Sequence, residues 1–150
     1  MTVLPPDLTV EDLLPHRGRM LLIDEVIHIE GDRAVTGVQV SDRWPLVEAN
    51  GASPLMIIEL VAQTSGIGNG LSLIKERGKG ADKRGWIVGI KKARFFTDAL
   101  PVGARIVVES KNSFKFDDFI EIEGSAKMDD RIVGEVTLQV MKADSSQEPV

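Results

Sequence analysis

The chain has 150 residues, 43% of them hydrophobic and 27% charged, close to the ~45–50% and ~25% of ordinary globular proteins, which excludes a disordered tail, a collagen-like repeat and a coiled coil. There are no cysteines, so a disulfide scaffold, a Cys-ligated zinc site, an iron–sulfur cluster and a Cys nucleophile are all excluded, and a chain of this length buries roughly 70% of its unfolded surface without such staples. The net charge of −5 argues against general nucleic-acid binding, whose footprint is a basic stripe.

Met1-Thr-Val-Leu-Pro-Pro-Asp7 has neither the basic nor the apolar stretch of a secretory signal. No run approaches the ~20 apolar residues of a membrane span. The expectation is a cytoplasmic protein of one domain over residues 1–150, with an ordered core over about 10–142 and a polar tail over 143–150. Thr9 to Leu14 reads as a short helix, with Thr9 as N-cap, Asp12 three residues on, and Pro15 ending it. Met20 to Ile29 is a strand candidate. Gly31-Asp32 turns the chain, and Arg33 to Val40 returns as the second strand of a hairpin. Trp44 to Ala52 reads as an irregular loop. Ser53-Pro54 is a strong helix start, and the helix runs to about Lys75–Arg77, with Gly78 as C-cap. Four strands follow: Arg84 to Phe95, Ala104 to Ser110, Phe119 to Met128, and Arg131 to Met141. The last two meet at an Asp129-Asp130 turn. Ile120, Ile122, Gly124 and Ala126 share one face, as do Ile132, Gly134, Val136, Leu138 and Val140, an alternation that argues antiparallel strands with one buried face. The long helix is apolar around nearly its whole circumference, which calls for burial on all sides. One antiparallel sheet wrapped around one central helix, an α+β domain, satisfies that.

Glu59 is the most informative residue, because Pro54-Leu-Met-Ile-Ile-Glu-Leu-Val-Ala62 carries no other charge. A carboxylate buried alone is costly and titrates upward, towards the range where a group exchanges protons near neutrality. It could equally cap a loop or pair with an arginine. Gln63, at i+4, shares its helical face, and Thr64 is adjacent. His16 lies in a turn before the first strand and either holds that loop by hydrogen bonds or takes part in chemistry. His28, on a strand, is expected to face outward. Gly66-Ile-Gly-Asn-Gly70 lies inside a helix and fails the context of a phosphate loop; its glycines are read as letting strands approach the helix. Lys91, Lys92 and Arg94 form the densest basic segment, either a solvated strand face or a docking spot for an acidic partner. No metal motif is present, and no cofactor is expected.

Three segments together resemble a known family. Leu14-Pro-His-Arg-Gly-Arg-Met-Leu-Leu-Ile-Asp-Glu-Val26, Glu59-Leu-Val-Ala-Gln-Thr-Ser-Gly66, and Val88-Gly-Ile-Lys-Lys-Ala-Arg-Phe95 followed by Leu100-Pro-Val-Gly103 are similar, in order and spacing, to the hotdog-fold 3-hydroxyacyl-(acyl carrier protein) dehydratases over roughly residues 10–142. The resemblance implies a sheet wrapped around the central helix, dimerisation edge to edge, and a tunnel for an acyl thioester on a carrier protein or coenzyme A. It implies removal of water from a 3-hydroxyacyl group in fatty-acid or polyene biosynthesis, with Glu59 on the family's helix carboxylate. Backbone N–H groups near the helix start would polarise the thioester oxygen. The family's usual loop histidine is missing from Trp44-Pro-Leu-Val-Glu-Ala-Asn-Gly-Ala52. Pro54 stands where a glycine N–H is usual, leaving Gly51 or Leu55 as substitutes. The chain is closer to the aryl-polyene-type branch, which also lacks that histidine.

Three readings follow. In the first, a dehydratase uses Glu59 with His16 or Asn50 as second polar group. In the second, a thioesterase uses Glu59 to activate water, with Gln63 or Thr64 beside it. In the third, a non-catalytic module binds acyl groups or a carrier protein, paired with an active hotdog subunit. A homodimer, a higher oligomer or a hetero-oligomer is expected.

Overall fold

A computed structural model describes residues 4–143; the expected polar tail falls, but for Ala143, outside the described residues. The elements are α1 (Val10–Leu13), a 3-10 turn (Gly18–Met20), β1 (Glu25–Glu30), β2 (Arg33–Gln39), β3 (Val47–Glu48), β4 (Gly51–Ala52), α2 (Met56–Arg77), β5 (Gly85–Phe95), β6 (Arg105–Phe116), β7 (Phe119–Met128) and β8 (Arg131–Lys142). Six strands form one antiparallel sheet in the order β1-β2-β6-β7-β8-β5, and β3 and β4 make a small hairpin of their own. The sheet curls around α2, and the core lies between them: Ile57, Leu60, Val61 and Ile67 of the helix pack against Ile106, Val108, Ile120, Ile122 and Leu138 of the sheet, all fully or almost fully buried.

The close approach of helix and sheet has a local cause. A methyl group on Gly124 would stand 2.3 Å from Val61, and one on Gly134 would stand 2.6 Å from Ile57. The sheet therefore lacks side chains where the helix is bulkiest. The β7–β8 connection is a two-residue turn with φ of 51° at Asp129 and 62° at Asp130, the doubly left-handed geometry that suits the twist of a hairpin and that aspartate tolerates.

Several expectations are corrected. Residues 20–24 are not strand: Leu22 and Ile23 are buried, and the Leu22 N–H goes to a side chain of α2 instead of a neighbouring strand. The expected loop at 44–52 contains the β3–β4 hairpin. β6 runs on to Phe116, held by its ladder with β7 and not by burial, since its last residues are exposed. A bulge shifts the β7–β8 register at Ala126/Lys127, so Val133 is buried in place of Ile132, which turns outward; one extra residue flips the alternation. His28 does not face outward: a register shift between Val26 and His28 leaves its side chain 14% exposed beside Glu30. Finally, α2 is not covered all round. Leu55 is exposed, and Ile58, Glu59, Ala62 and Leu73 are only partly covered, so one stripe of the helix faces an opening.

Candidate active site

The site is built where the loop after α1 lies on the middle of α2. α1 begins at Thr9, whose backbone N–H and hydroxyl both donate to Asp12 Oδ2, at 2.8 and 3.1 Å, and Pro15 stops it. Its last turn can sit on α2 because two helix positions have no side chain: a methyl group on Gly66 would meet Leu14 at 2.7 Å, and one on Gly70 would meet the Leu13 carbonyl oxygen at 2.3 Å. Gly66 and Gly70 thus seat α1, not a strand; Gly68 does face β2, where a methyl group would stand 3.5 Å from Ala34. The Arg17 guanidinium then gathers the carbonyl oxygens of Glu11, Leu14 and His16 at 2.7–3.0 Å. That fork satisfies carbonyls that the short helix leaves open, and it fixes the loop's path.

This path brings His16 Nε2 to 3.1 Å from Glu59 Oε1, with the side chains 30% and 26% exposed. A carboxylate only accepts, so the shared hydrogen belongs to Nε2, and the neutral ring carries its lone pair on Nδ1. That Nδ1 is buried and has no partner among the described residues. The same Glu59 oxygen accepts from Gln63 Nε2 at 2.9 Å. Gln63 is completely buried. Its amide also donates to the Met20 carbonyl at 2.7 Å, while its oxygen accepts the Leu22 N–H at 3.0 Å. One amide therefore ties the His16–Leu22 segment to α2 and holds one oxygen of Glu59. Glu59 is neither isolated nor wholly buried, as the sequence alone suggested; it is the centre of a three-residue cluster.

The His16–Glu59 pair opens on a cleft of about 380 Å³ that runs along α2 past Ala62, Ser65, Asn69 and Leu73. Its lining is apolar at Ile120, Ile122 and Val140 and also includes Trp86 and the charged run Asp82–Arg84. Arg84 holds Asp82 there with charge-assisted hydrogen bonds of 2.7 to 3.2 Å, and this fork lowers the Asp82 pKa to about 2.

The other expected site residues lie elsewhere. Thr64 turns its hydroxyl to the Leu60 carbonyl and to Thr36 of β2, at 2.7 and 2.8 Å, on the sheet side of the helix. Asn50 is exposed in the β3–β4 turn, and Gly51 is buried against the Leu100 carbonyl with φ of 125°, where no larger residue fits; neither lines the cleft. The Leu55 N–H is taken by the Ser53 hydroxyl at 3.2 Å, and the next N–H groups bond to carbonyls three residues back, so the helix start caps itself. Lys91 is the unpaired residue of a β5 bulge between Ile90 and Lys92; Lys91 and Lys92 reach Glu121 and Glu135, at 3.4 and 3.8 Å. The Arg94 guanidinium lies over the Phe96 ring at 5.6 Å. Ser65, Asn69, Leu73, Ile120 and Ile122 escaped sequence reasoning, although the helix residues among them fall on the i+3, i+4 stripe that starts at Glu59. Among the described residues no cluster of three or more His, Asp or Glu gathers for a metal ion. No helix among them is long and apolar enough to cross a membrane.

A curled antiparallel sheet around one long helix, with a helix carboxylate facing a cleft, defines a hotdog-fold protein. A family model described as ApeP-like, ApeP dehydratase, matches residues 8–150. A 3-hydroxyacyl-[acyl-carrier-protein] dehydratase FabZ of Thermotoga petrophila is 31% identical over 134 residues, covering 86% of this chain and 91% of the relative. The FabZ of Streptococcus sanguinis is 29% identical over 137 residues, covering 87% and 92%. Among solved structures, the dehydratase heterocomplex ApeI:P from Xenorhabdus doucetiae superposes with a TM-score of 0.83 at 22% identity, over 93% of this chain and 94% of that one. A hypothetical thioesterase from Streptococcus pneumoniae with coenzyme A superposes at 0.59 and 12% identity, over 79% and 84%. The chain belongs to the ApeP-like dehydratase family.

Proposed function

We propose that this protein eliminates water from 3-hydroxyacyl thioesters carried on an acyl carrier protein, using His16 and Glu59 as one proton-transfer unit. The observation that carries the reading is the 3.1 Å contact between His16 Nε2 and Glu59 Oε1 in the lining of the cleft. The reaction needs a base for the proton on C2 and an acid for the hydroxyl leaving C3. With Nε2–H of His16 and the Gln63 amide held on Oε1, the free oxygen of the Glu59 carboxylate is the base for the C2 proton, and the imidazole stabilises the charge on the shared oxygen. The pair then gives a proton to the departing hydroxyl. The C2–H and C3–O bonds break, a C2–C3 double bond forms, one water leaves, and both side chains end as they began. Gln63 touches neither reacting carbon; it positions Glu59.

β5 ends the sheet, so one of its edges is unpaired, and Ile87 and Ile90 on its core-facing side remain 40% and 52% exposed. An unpaired edge with uncovered apolar residues invites a second strand. We read it as the edge along which a second hotdog subunit pairs, either another copy or a related chain. Lys91, Lys92 and Arg94 on the same strand remain candidate contacts for an acidic carrier protein, the two lysines weakened by the carboxylates they already face.

The test sets a 3-hydroxyacyl thioester beside a saturated acyl thioester of equal length, with the native protein, Glu59→Gln and His16→Ala. Enoyl product from the first and no free thiol from the second supports the reading, with each variant losing a factor of about 10²–10⁴. Free thiol from both substrates points to hydrolysis, absence of any product points to a binding module, and full activity in either variant removes that residue from the mechanism.

A further inference from the structure

The chain contains two Asn-Gly pairs, Asn50-Gly51 and Asn69-Gly70. An asparagine followed by glycine is open to attack by its own backbone, because glycine puts no side chain between its nitrogen and the asparagine amide. The fold treats the two pairs differently.

Asn69 and Gly70 lie inside α2. The Asn69 amide is held on both sides: Nδ2 donates to Ser65 Oγ at 3.0 Å, and Oδ1 accepts from Asn112 Nδ2 at 2.8 Å. Gly70 is buried and packs against the Leu13 carbonyl. Its nitrogen belongs to the helix ladder, so bringing it to the Asn69 amide takes unwinding of the element on which the core is built.

Asn50 stands at the opposite extreme. It is exposed in the two-residue turn between Glu48 and Gly51, and among the described residues no hydrogen bond holds its side chain. The β3–β4 hairpin has only two residue pairs, Val47 with Ala52 and Glu48 with Gly51. A ladder that short opens locally at little cost, without disturbing the rest of the fold.

We infer that Asn50 is a modification site, at which the folded chain converts asparagine to aspartate and isoaspartate. The Gly51 nitrogen bonds to Asn50 Cγ, the Cγ–Nδ2 bond breaks, and ammonia leaves with the proton from the attacking nitrogen. Water then opens the succinimide ring at one carbonyl or the other. Either product puts a carboxylate where a neutral amide stood. Isoaspartate also adds a carbon to the main chain beside Gly51, which has no room to shift: at φ of 125°, a methyl group on it would stand 2.3 Å from the Leu100 carbonyl oxygen. The displacement falls on the Ala52–Leu100 bridge, whose two N–H···O bonds measure 2.8 and 2.9 Å, just before the start of α2. Neither Asn50 nor Gly51 lines the cleft, so the modification does not depend on the proposed elimination.

The test incubates the folded protein in mildly alkaline buffer, beside a sample unfolded in urea. Cleavage after glutamate gives the peptides 49–59 and 60–76, which separate the two asparagines, and mass spectrometry follows the amide-to-acid mass gain in each. In the folded protein, peptide 49–59 is expected to convert faster than 60–76 by about tenfold or more; in urea the two are expected to convert alike. Asn50→Gln, whose longer side chain closes a ring far more slowly, is expected to abolish the gain in 49–59. Equal rates in the folded chain, faster conversion at Asn69, or a mass gain in 49–59 that survives Asn50→Gln overturns the site. So does a folded protein whose 49–59 peptide stays unconverted while the urea sample reacts. In the isoaspartate fraction, hydrogen exchange at the Ala52 and Leu100 amides is expected to quicken by about tenfold, and unchanged exchange overturns the link to the bridge.

Discussion

Replacing Gln63 by leucine keeps the volume of the side chain and removes every hydrogen bond it makes. Two consequences can be sized separately. The Leu22 N–H lies on a residue 1% exposed and loses its acceptor, which costs roughly 1–3 kcal/mol for a donor left unsatisfied in the interior. The Met20 carbonyl sits on a half-exposed residue and can turn to water, so its loss is smaller, roughly 0.5–1 kcal/mol. The sum, about 1.5–4 kcal/mol, should lower the midpoint of thermal unfolding by roughly 3–16 °C in a domain of this size. Urea unfolding followed by circular dichroism measures it, with an unchanged denaturant slope marking a change in stability alone. Turnover should fall as well, because Glu59 loses the donor that fixes its shared oxygen. A Gln63→Leu protein as stable as the parent would refute the buried tie between the His16 loop and α2. Normal stability with weakened substrate binding would return Gln63 to the substrate-contacting role that its sequence position suggests.

Two further outcomes follow from measured geometry. Gly70→Ala places a methyl group 2.3 Å from the Leu13 carbonyl oxygen; backbone cannot step aside cheaply, so the variant should lose about 1–3 kcal/mol and, with α1 lifted, lose the His16–Glu59 contact, read as a chemical-shift change of the His16 ring. Asp82→Asn removes a carboxylate whose pKa drops from 3.8 to about 2 in the folded protein. A depressed carboxylate stabilises above its unfolded pKa and loses that contribution as pH falls through the folded one. The stability gap between parent and variant should therefore be constant above about pH 4 and vanish near pH 2. Because the pair is near the surface, the gap should stay below about 1 kcal/mol, and one that widened in acid would contradict the assignment.

Much of the fold was legible because its signals are local. Ser53-Pro54 and Gly78 bracket α2 to within two residues, and the alternation of β7 gives its buried face directly. The misreadings come from contacts distant in sequence. Residues 20–24 look like strand, yet the partner of the Leu22 N–H is a glutamine 41 positions away. Ile132 alternates correctly on paper, but one bulged residue passes its place to Val133. In the site, Glu59 stands out as a charge among apolar neighbours and His16 through its motif. Their meeting depends on Gly66 and Gly70, whose role is to be absent as side chains and so leaves no chemical signature. Asn69 was passed over for a similar reason: an amide late in a helix looks like a solvated residue until the partners behind it are known.

The seating of α1 on α2 makes His16 and Glu59 products of one polypeptide. Every copy of this chain brings His16 and Glu59 together within itself, so if the proposed elimination runs on this pair, the count of working centres in an assembly equals the count of these chains. Diluting the protein with an inert sibling should then lower output in linear proportion, without the poisoning seen where two chains must each lend half of a centre.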